Sequence, residues 1–319
     1  MDTSIPVEKH VSVASQTLKH RMFSAENFRN DTAGLHFYTE VENIEKFFFI
    51  LYTLGPSAFC LQYIFHNVVN ISVPDKFFLV LMKLRRHTTN FELSRMFEMS
   101  EKAVQNIIIT WINFMAKQWG EINIWPSGDL VRYYAPTSFK KNFPSTRVIV
   151  DGTEFPIKKP KNPKSQQKTF STYKNRNTVK VLVGSTPGGL VSFISPAYGG
   201  SASDRQITER SSLMTSCDPY DSIMSDKGFS VQDLFATQNV AINMPTFFKK
   251  KNRLTGETVI KDRKISSKRV HIERIIGLAK TFKILTEPMT ATETKLSTEI
   301  TFVCFFLCNF RKCIVSKNA

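Results

Sequence analysis

The sequence has few cysteines and no long hydrophobic run. Five of its 319 residues are cysteine, an odd and low count that disfavours a secreted disulfide scaffold and favours a reducing compartment. The longest largely apolar run, Ile300–Leu307, is far shorter than the roughly 18–20 residues that span a bilayer. The first residues show no apolar core of a signal peptide. We therefore expect a soluble, intracellular protein that has no membrane partner.

Several catalytic signatures are also missing. The sequence contains no GxxxxGK[ST], HExxH or GxSxG pattern. No motif therefore supports an ATPase, zincin or serine-hydrolase activity. Cys304 and Cys308 lie four residues apart in an apolar segment that has no nearby histidine. Buried core thiols are therefore favoured there over a metal site.

Negative charge is scarce, and its shortage is concentrated in the second half. The chain holds 43 Lys and Arg against 27 Asp and Glu. Residues 1–146 carry 15 cations and 13 acids, whereas residues 147–319 carry 28 and 14. The first basic stretch, Lys158–Lys180, has eight cations and no acid, and the second, Phe247–Arg269, has nine cations and two acids. Both include aromatic residues.

This pattern favours a nucleic-acid partner. The alternative for each stretch is a solvated surface loop, and neither stretch has the broad apolar face of a membrane-surface helix. The candidate DNA-binding residues are Lys158, Lys159, Lys174, Arg176, Lys249, Lys250, Lys251, Arg253, Lys268 and Arg269. Basic runs of this kind are also a weak signal for import into the nucleus. We expect a nuclear protein, with the cytoplasm as the alternative.

The first half predicts helices. We expect a flexible N-terminal arm over residues 1–36, a helical region over 37–122 and a connector over 123–146. Thr89 and Glu92 form a capping-box pattern, and Ser100 can cap the next helix. The resulting helices have the spacing of a helix-turn-helix, over about residues 75–119. A plain helical bundle is the alternative.

Residues 147–315 predict a second domain of class α/β. Short β-branched runs and helical segments follow in the order three strands, helix, strand, helix, strand, helix. Three leading strands followed by strand–helix alternation indicate a ribonuclease-H-like mixed sheet with flanking helices. The all-α helix-turn-helix region precedes it.

Three acids of this domain form a candidate catalytic site. Asp151 and Asp226 each follow a strand and precede a glycine-containing turn, at predicted carboxyl ends where open sheets gather ligands. Glu273 lies on a helix predicted to cover the sheet. Together these acids could hold two Mg²⁺ or Mn²⁺ ions for phosphodiester displacement. The alternative is structural: each Asp caps a turn, and Glu273 pairs with Arg269.

Long motifs of this sequence resemble the DDE-superfamily endonucleases of the PIF/Harbinger type, and most closely the branch found behind THAP zinc fingers. The motifs are VDGTEFPI (150–157), FSTYKNRNTVKVLVGSTPGG (170–189), SPAYGGSASDRQIT (195–208), SDKGF (225–229) and RVHIERIIGLAKTFKIL (269–285). Upstream, residues 79–112 are similar to the helix-turn-helix that precedes this nuclease. No Cys/His finger precedes these helices, unlike in the longer relatives.

The resemblance implies a ribonuclease-H-like nuclease in which Asp151, Asp226 and Glu273 are the DDE triad and the metal ligands. Asp204 matches a further family position, and we interpret it first as a helix cap and second as an accessory metal-site acid. DNA is the implied substrate, and a separate DNA-reading protein is an implied partner. Whether the protein forms a homo-oligomer is left open by the sequence. The rival hypothesis is a domesticated, catalytically silent DNA-binding protein.

Overall fold

The computed structural model describes residues 23–68, 71–246 and 255–315. The N-terminal half of this described chain is helical, and short 3₁₀ turns lie at Ala25–Phe28 and Pro56–Phe59. Its α-helices are α1 (Thr32–Thr39), α2 (Ile44–Tyr52), α3 (Val73–Arg86), α4 (Asn90–Met96), α5 (Glu101–Gly120), α6 (Gly128–Tyr134) and α7 (Thr137–Asn142).

The predicted helix-turn-helix region is confirmed, and α4 and α5 form its helix pair. The Thr89 hydroxyl accepts the backbone N–H of Glu92, and the Glu92 carboxylate accepts the Thr89 N–H, which completes the capping box. The Ser100 hydroxyl accepts the Ala103 N–H and caps α5. Each cap satisfies amide groups that a helix start leaves without partners.

The described part of the predicted N-terminal arm is not flexible. Residues 1–22 lie outside the described residues, but residues 23–36 are packed against the helical region. Ala25 and Leu35 are fully buried. The buried Asp75 carboxylate accepts the Ala25 N–H at 2.8 Å and the Ser24 hydroxyl at 2.9 Å. Sequence reasoning missed this anchor because its two partners lie 50 residues apart. The predicted connector likewise contains two short helices, α6 and α7.

The described residues of the second half form a seven-stranded mixed sheet, so the predicted fold class is confirmed. The strands are β1 (Thr146–Pro156), β2 (Phe170–Ser171), β3 (Arg176–Ser185), β4 (Val191–Ile194), β5 (Tyr198–Gly199), β6 (Ser222–Met224) and β7 (Ala241–Asn243). The main order is β2–β3–β1–β6–β7. Strands β1 and β3 are antiparallel, whereas β1, β6 and β7 are parallel. Short strands β4 and β5 also pair with β3.

Helices cover both faces of this sheet. They are α8 (Pro163–Thr169), α9 (Asp204–Glu209), α10 (Leu213–Ser216), α11 (Gln232–Phe235), α12 (Gly256–Ala279), α13 (Ala291–Lys295) and α14 (Ser297–Cys308). Side chains alternate along β1 because successive residues of a strand point to opposite faces. Ile149 and Phe155 join the core on the α12 side, whereas Val148 and Val150 join the core on the α9 side.

The helical region and the sheet-containing half share one hydrophobic core. Helix α5 packs against α14, where the rings of Trp119 and Phe306 stack with centroids 4.8 Å apart. None of the helices in the described ranges has the length and apolar character needed to cross a bilayer.

Helix α12, which carries Glu273, extends back to Gly256 and includes much of the second basic stretch. The Thr255 hydroxyl caps it by accepting the Thr258 N–H, and Glu257 lies in the first turn. A good cap, a favourable first-turn acid and many helix-forming Lys and Arg residues account for the extension.

Candidate active site

The parallel part of the sheet brings Asp151 and Asp226 side by side. The last parallel pair of β1 and β6 is Ile149 with Met224, and each acid lies two residues beyond its member of that pair. The prediction that Asp151 ends its strand was wrong, since β1 continues to Pro156 by pairing with β3. The neighbouring strand β6 does end at Met224, two residues before Asp226. The predicted strand end is therefore present for Asp226.

Helix α12 adds Glu273, and one arginine connects the three acids. The guanidinium nitrogen Nη1 of Arg269 lies 2.8 Å from Asp226 Oδ1. The second guanidinium nitrogen, Nη2, lies 3.9 Å from Asp151 Oδ2 and 3.9 Å from Glu273 Oε1. The Arg269 side chain is only 10 % exposed, whereas Asp226 and Glu273 are about half exposed. All three predicted carboxylates therefore lie within 4 Å of a single guanidinium group.

The charges of this cluster do not balance. Burial raises the pKa of Asp151 to about 6, the nearby charge of Asp226 adds to the increase, and the Arg269 charge opposes it only in part. One guanidinium thus faces three acids, and repulsion between like charges favours the protonated form of the most buried one. The site has an excess of negative charge that a further cation would compensate.

Asp204 lies behind this cluster. The prediction that Asp204 caps a helix was wrong: the Ser203 hydroxyl caps α9, and Asp204 is its first helical residue. The Asp204 carboxylate pairs with Lys180 at 2.9 Å, and its charge also raises the pKa of Asp151. A Cβ atom at Gly152 would lie 2.6 Å from Asp204 Oδ1. Glycine is therefore needed in this strand for the close approach of Asp204.

Sequence reasoning missed Lys280, a cation at the same site. Burial and the charge of Lys174 lower the pKa of Lys280, and Asp151 partly opposes that shift. Lys280 is thus near enough to Asp151, and to Lys174 of the β2–β3 hairpin, for their charges to act on it. The signal was present in the sequence, because residues four and seven positions apart share one helix face, as Arg269, Glu273 and Lys280 do.

The predicted DNA-binding cations fall into three groups. Seven of the eight cations in the first basic stretch are exposed. They include the first group, the four predicted contacts Lys158, Lys159, Lys174 and Arg176. Two further candidates are not free surface cations: Arg269 is turned into the acid cluster, and the Lys268 ammonium lies 5.8 Å from the Phe139 ring centroid. The remaining four, Lys249, Lys250, Lys251 and Arg253, lie outside the described residues.

The donor set fits a hard divalent cation in chemistry, since Mg²⁺ and Mn²⁺ prefer carboxylate oxygens. The positions of the donors are different from those of a finished metal site. Within residues 23–68, 71–246 and 255–315, no three acidic, histidine or cysteine side chains are already placed to hold a metal ion. At this site the Arg269 guanidinium takes the position between the acids.

Two family models match the chain. The model for the DDE superfamily endonuclease covers residues 150–309, half of the chain, and includes all three acids. The model for the helix-turn-helix of the DDE superfamily endonuclease covers residues 69–120, which include α3, α4 and α5. No curated protein and no solved structure matches the chain. The order of the two matched regions agrees with the two halves of the fold, and the chain belongs to the DDE superfamily endonucleases.

Proposed function

We propose that this protein is a transposase-like nuclease of the PIF/Harbinger type that cleaves DNA phosphodiester bonds with divalent metal ions. The observation that carries the proposal is the convergence of Asp151, Asp226 and Glu273 on one guanidinium group. Two adjacent sheet strands and a covering helix supply these acids, which are far apart in the sequence. Such an assembly of acids with excess negative charge is typical of sites that bind cations.

In this proposal Asp151, Asp226 and Glu273 hold the metal ions, and Asp204 supports them from behind through its pair with Lys180. Bound Mg²⁺ or Mn²⁺, two ions in the favoured form, would supply Lewis-acid activation of water and charge stabilisation at the phosphate. The partial burial of Asp151 reduces competition by water, because electrostatic attraction is stronger where the solvent is partly excluded. Lys280 would hold the phosphate beside these acids.

The exposed cations of the first basic stretch would follow the DNA backbone. The hairpin between β2 and β3 carries Tyr173, which is 84 % exposed, and the Lys174 ammonium lies 4.6 Å from its ring centroid. An exposed aromatic beside a cation can contact both a base and a phosphate. Binding through several such phosphate contacts should weaken by about 10³-fold or more between roughly 50 and 200 mM salt.

The helix-turn-helix is proposed to take part in DNA binding. Helix α5 begins with exposed Glu101, Lys102 and Gln105, whereas most of its remaining length is buried. This leaves a short exposed face at the amino end, where recognition helices contact base edges. So small a face supports the proposal that a separate DNA-reading protein assists target choice. We also propose a nuclear location, which the localisation of the tagged full-length chain would test.

The test is a plasmid-nicking assay with Mn²⁺ on the full-length protein. The variant Asp226→Asn should lose about 10³-fold or more of the activity, since several kcal/mol of charge stabilisation depend on the acid. The matched control is Asp233→Asn, because Asp233 is an exposed acid that pairs with Arg205 away from the cluster. This control should cleave like the wild type.

Two outcomes would contradict the proposal. Equal cleavage by wild type and Asp226→Asn would assign the activity to a contaminant or to another site. No cleavage by the wild type, together with salt-sensitive retardation of DNA on a gel, would favour the catalytically silent DNA-binding protein instead.

A further inference from the structure

Arg269 occupies an unusual position for a residue of a nuclease site. Its guanidinium lies 2.8 Å from Asp226 and 3.9 Å from both Asp151 and Glu273. The side chain is nearly buried, and its Nε is shielded from solvent and has no hydrogen-bond partner in the described part of the chain. The group is thus held by charge rather than by a complete set of hydrogen bonds.

A guanidinium and a divalent cation cannot both occupy the space between these acids. Each carboxylate has a limited number of lone pairs, and two cations in contact would repel each other. The contact to Asp226 is the shortest, and this acid is 55 % exposed, so the pair can separate toward solvent. Such partly exposed pairs are weak enough for a competing cation to replace them.

We propose that Arg269 is an internal counter-ion that neutralises the acids in part before metal loading and leaves them when the metal enters. This inference rests on the proposed function, because it requires the same acids to hold metal. The released guanidinium remains on α12 beside the site and is then free to bind a DNA phosphate, for which its planar donors are well suited. Metal loading and DNA binding would therefore strengthen each other, as linkage requires.

The test measures Mn²⁺ affinity of the full-length protein without DNA, by the loss of the electron paramagnetic resonance signal of free Mn²⁺. Arg269→Gln should bind Mn²⁺ about three- to tenfold more tightly than the wild type, because the competing cation is gone. The matched control is Arg274→Gln, which removes an exposed positive charge from the same helix, one residue beyond Glu273. This control should bind Mn²⁺ like the wild type.

A second readout separates release from a simple change of charge. In the wild type, Mn²⁺ should tighten the retardation of an uncleaved DNA by the protein, and Arg269→Gln should lose this effect. Arg269→Lys retains the positive charge and should keep part of this effect of Mn²⁺ on DNA retardation. Circular dichroism and thermal unfolding of each variant establish that the fold is intact.

The outcomes distinguish the inference from the function on which it rests. If the wild type binds Mn²⁺ and Arg269→Gln binds it equally or more weakly, Arg269 supports the metal site and the inference is wrong. The same conclusion follows if Arg274→Gln gains as much affinity as Arg269→Gln. If no variant binds Mn²⁺ with or without DNA, the proposed metal-dependent function fails as well.

Discussion

Two charge clusters of this protein have opposite balances. The acid cluster of the candidate site places one guanidinium among three carboxylates. The second cluster places Glu293 between Lys83 at 2.7 Å and His87 at 3.1 Å, and it joins α3 of the helix-turn-helix region to α13. The first has more acids than cations, whereas the second has two basic groups around its buried acid.

The pKa values of the two clusters move in opposite directions. Burial raises the pKa of Asp151 to about 6 because its neighbours do not compensate the charge. Burial acts on Glu293 in the same sense, but the hydrogen bond from His87 and the charge of Lys83 more than offset it, so the pKa of Glu293 is well below its usual range. A neutralised cluster stabilises the fold, and an uncompensated one leaves a place for a ligand.

The largest expected effect on stability is at Glu293. Glu293→Gln removes the charge that compensates the buried Lys83, and we expect it to lower the free energy of unfolding by about 3–5 kcal/mol. Urea unfolding at neutral pH measures the change. Glu287→Gln is the matched control, because Glu287 contacts the same His87 from a half-exposed position. A loss below 1 kcal/mol for Glu293→Gln would show that this cluster does not stabilise the junction.

The Glu293 cluster should also make the free energy of unfolding decrease at acidic pH. Because the folded state holds the Glu293 proton less tightly than the unfolded chain does, its stabilisation is complete above the ordinary pKa of 4.5. It is lost progressively as the pH falls below that value. We therefore expect the difference in unfolding free energy between wild type and Glu293→Gln to shrink below pH 4.5. A difference that stays constant down to pH 3 would contradict this assignment.

The opposite prediction holds for Asp151. Its folded pKa is raised, so ionised Asp151 destabilises the fold at neutral pH, and the penalty appears as the pH rises from about 4 to about 6. With chelator present, Asp151→Asn should gain up to about 3 kcal/mol of stability at pH 7 and nothing near pH 3, while losing DNA cleavage. Asp226→Asn should change stability by about 1 kcal/mol or less. A destabilised Asp151→Asn at pH 7 would show that Arg269 fully compensates this acid.

Local patterns of the sequence predicted much of the fold, and they indicated the three acids of the candidate site. The β-branched run Val148–Val150 predicted a strand before Asp151, and the short apolar run Ile223-Met224 predicted one before Asp226. Both strands are present, and the structure shows that they pair with each other. The apolar stripe around Glu273 predicted a covering helix. The catalytic role of these acids stays a prediction. In each case, residues within about ten positions determine the local structure.

Contacts between distant segments could not be predicted in this way. The position of Arg269 among the acids depends on how α12 crosses the sheet, and the anchor between Ala25 and Asp75 depends on the docking of the first turn on α3. Asp204 was assigned the cap because it and Ser203 are both good capping residues at adjacent positions. Only the path of the chain before α9 decides between them.

The smallest expected effect on stability concerns the face of α12 that carries Glu273. Gly277 lies one turn beyond Glu273, and a Cβ atom there would meet nothing within 4 Å. A glycine in mid-helix can allow the close approach of a neighbouring backbone or of nucleic acid, and no part of the described chain supplies that backbone. Gly277→Ala should therefore stabilise the free protein by about 0.5–1 kcal/mol, the ordinary helix gain.

If DNA approaches α12 at this glycine, the added methyl group should weaken DNA binding and cleavage while stability rises. Gel retardation and nicking of Gly277→Ala, measured beside its thermal unfolding, check this combination. Gly120→Ala is the matched control, since Gly120 is a helical glycine of α5 that likewise has open space around it, on an element that carries none of the three acids. Equal DNA binding by wild type and Gly277→Ala would place the DNA away from this face of α12, on the first basic stretch and the helix-turn-helix. A loss confined to Gly277→Ala would extend that surface across α12, beside the cluster whose negative charge is left uncompensated.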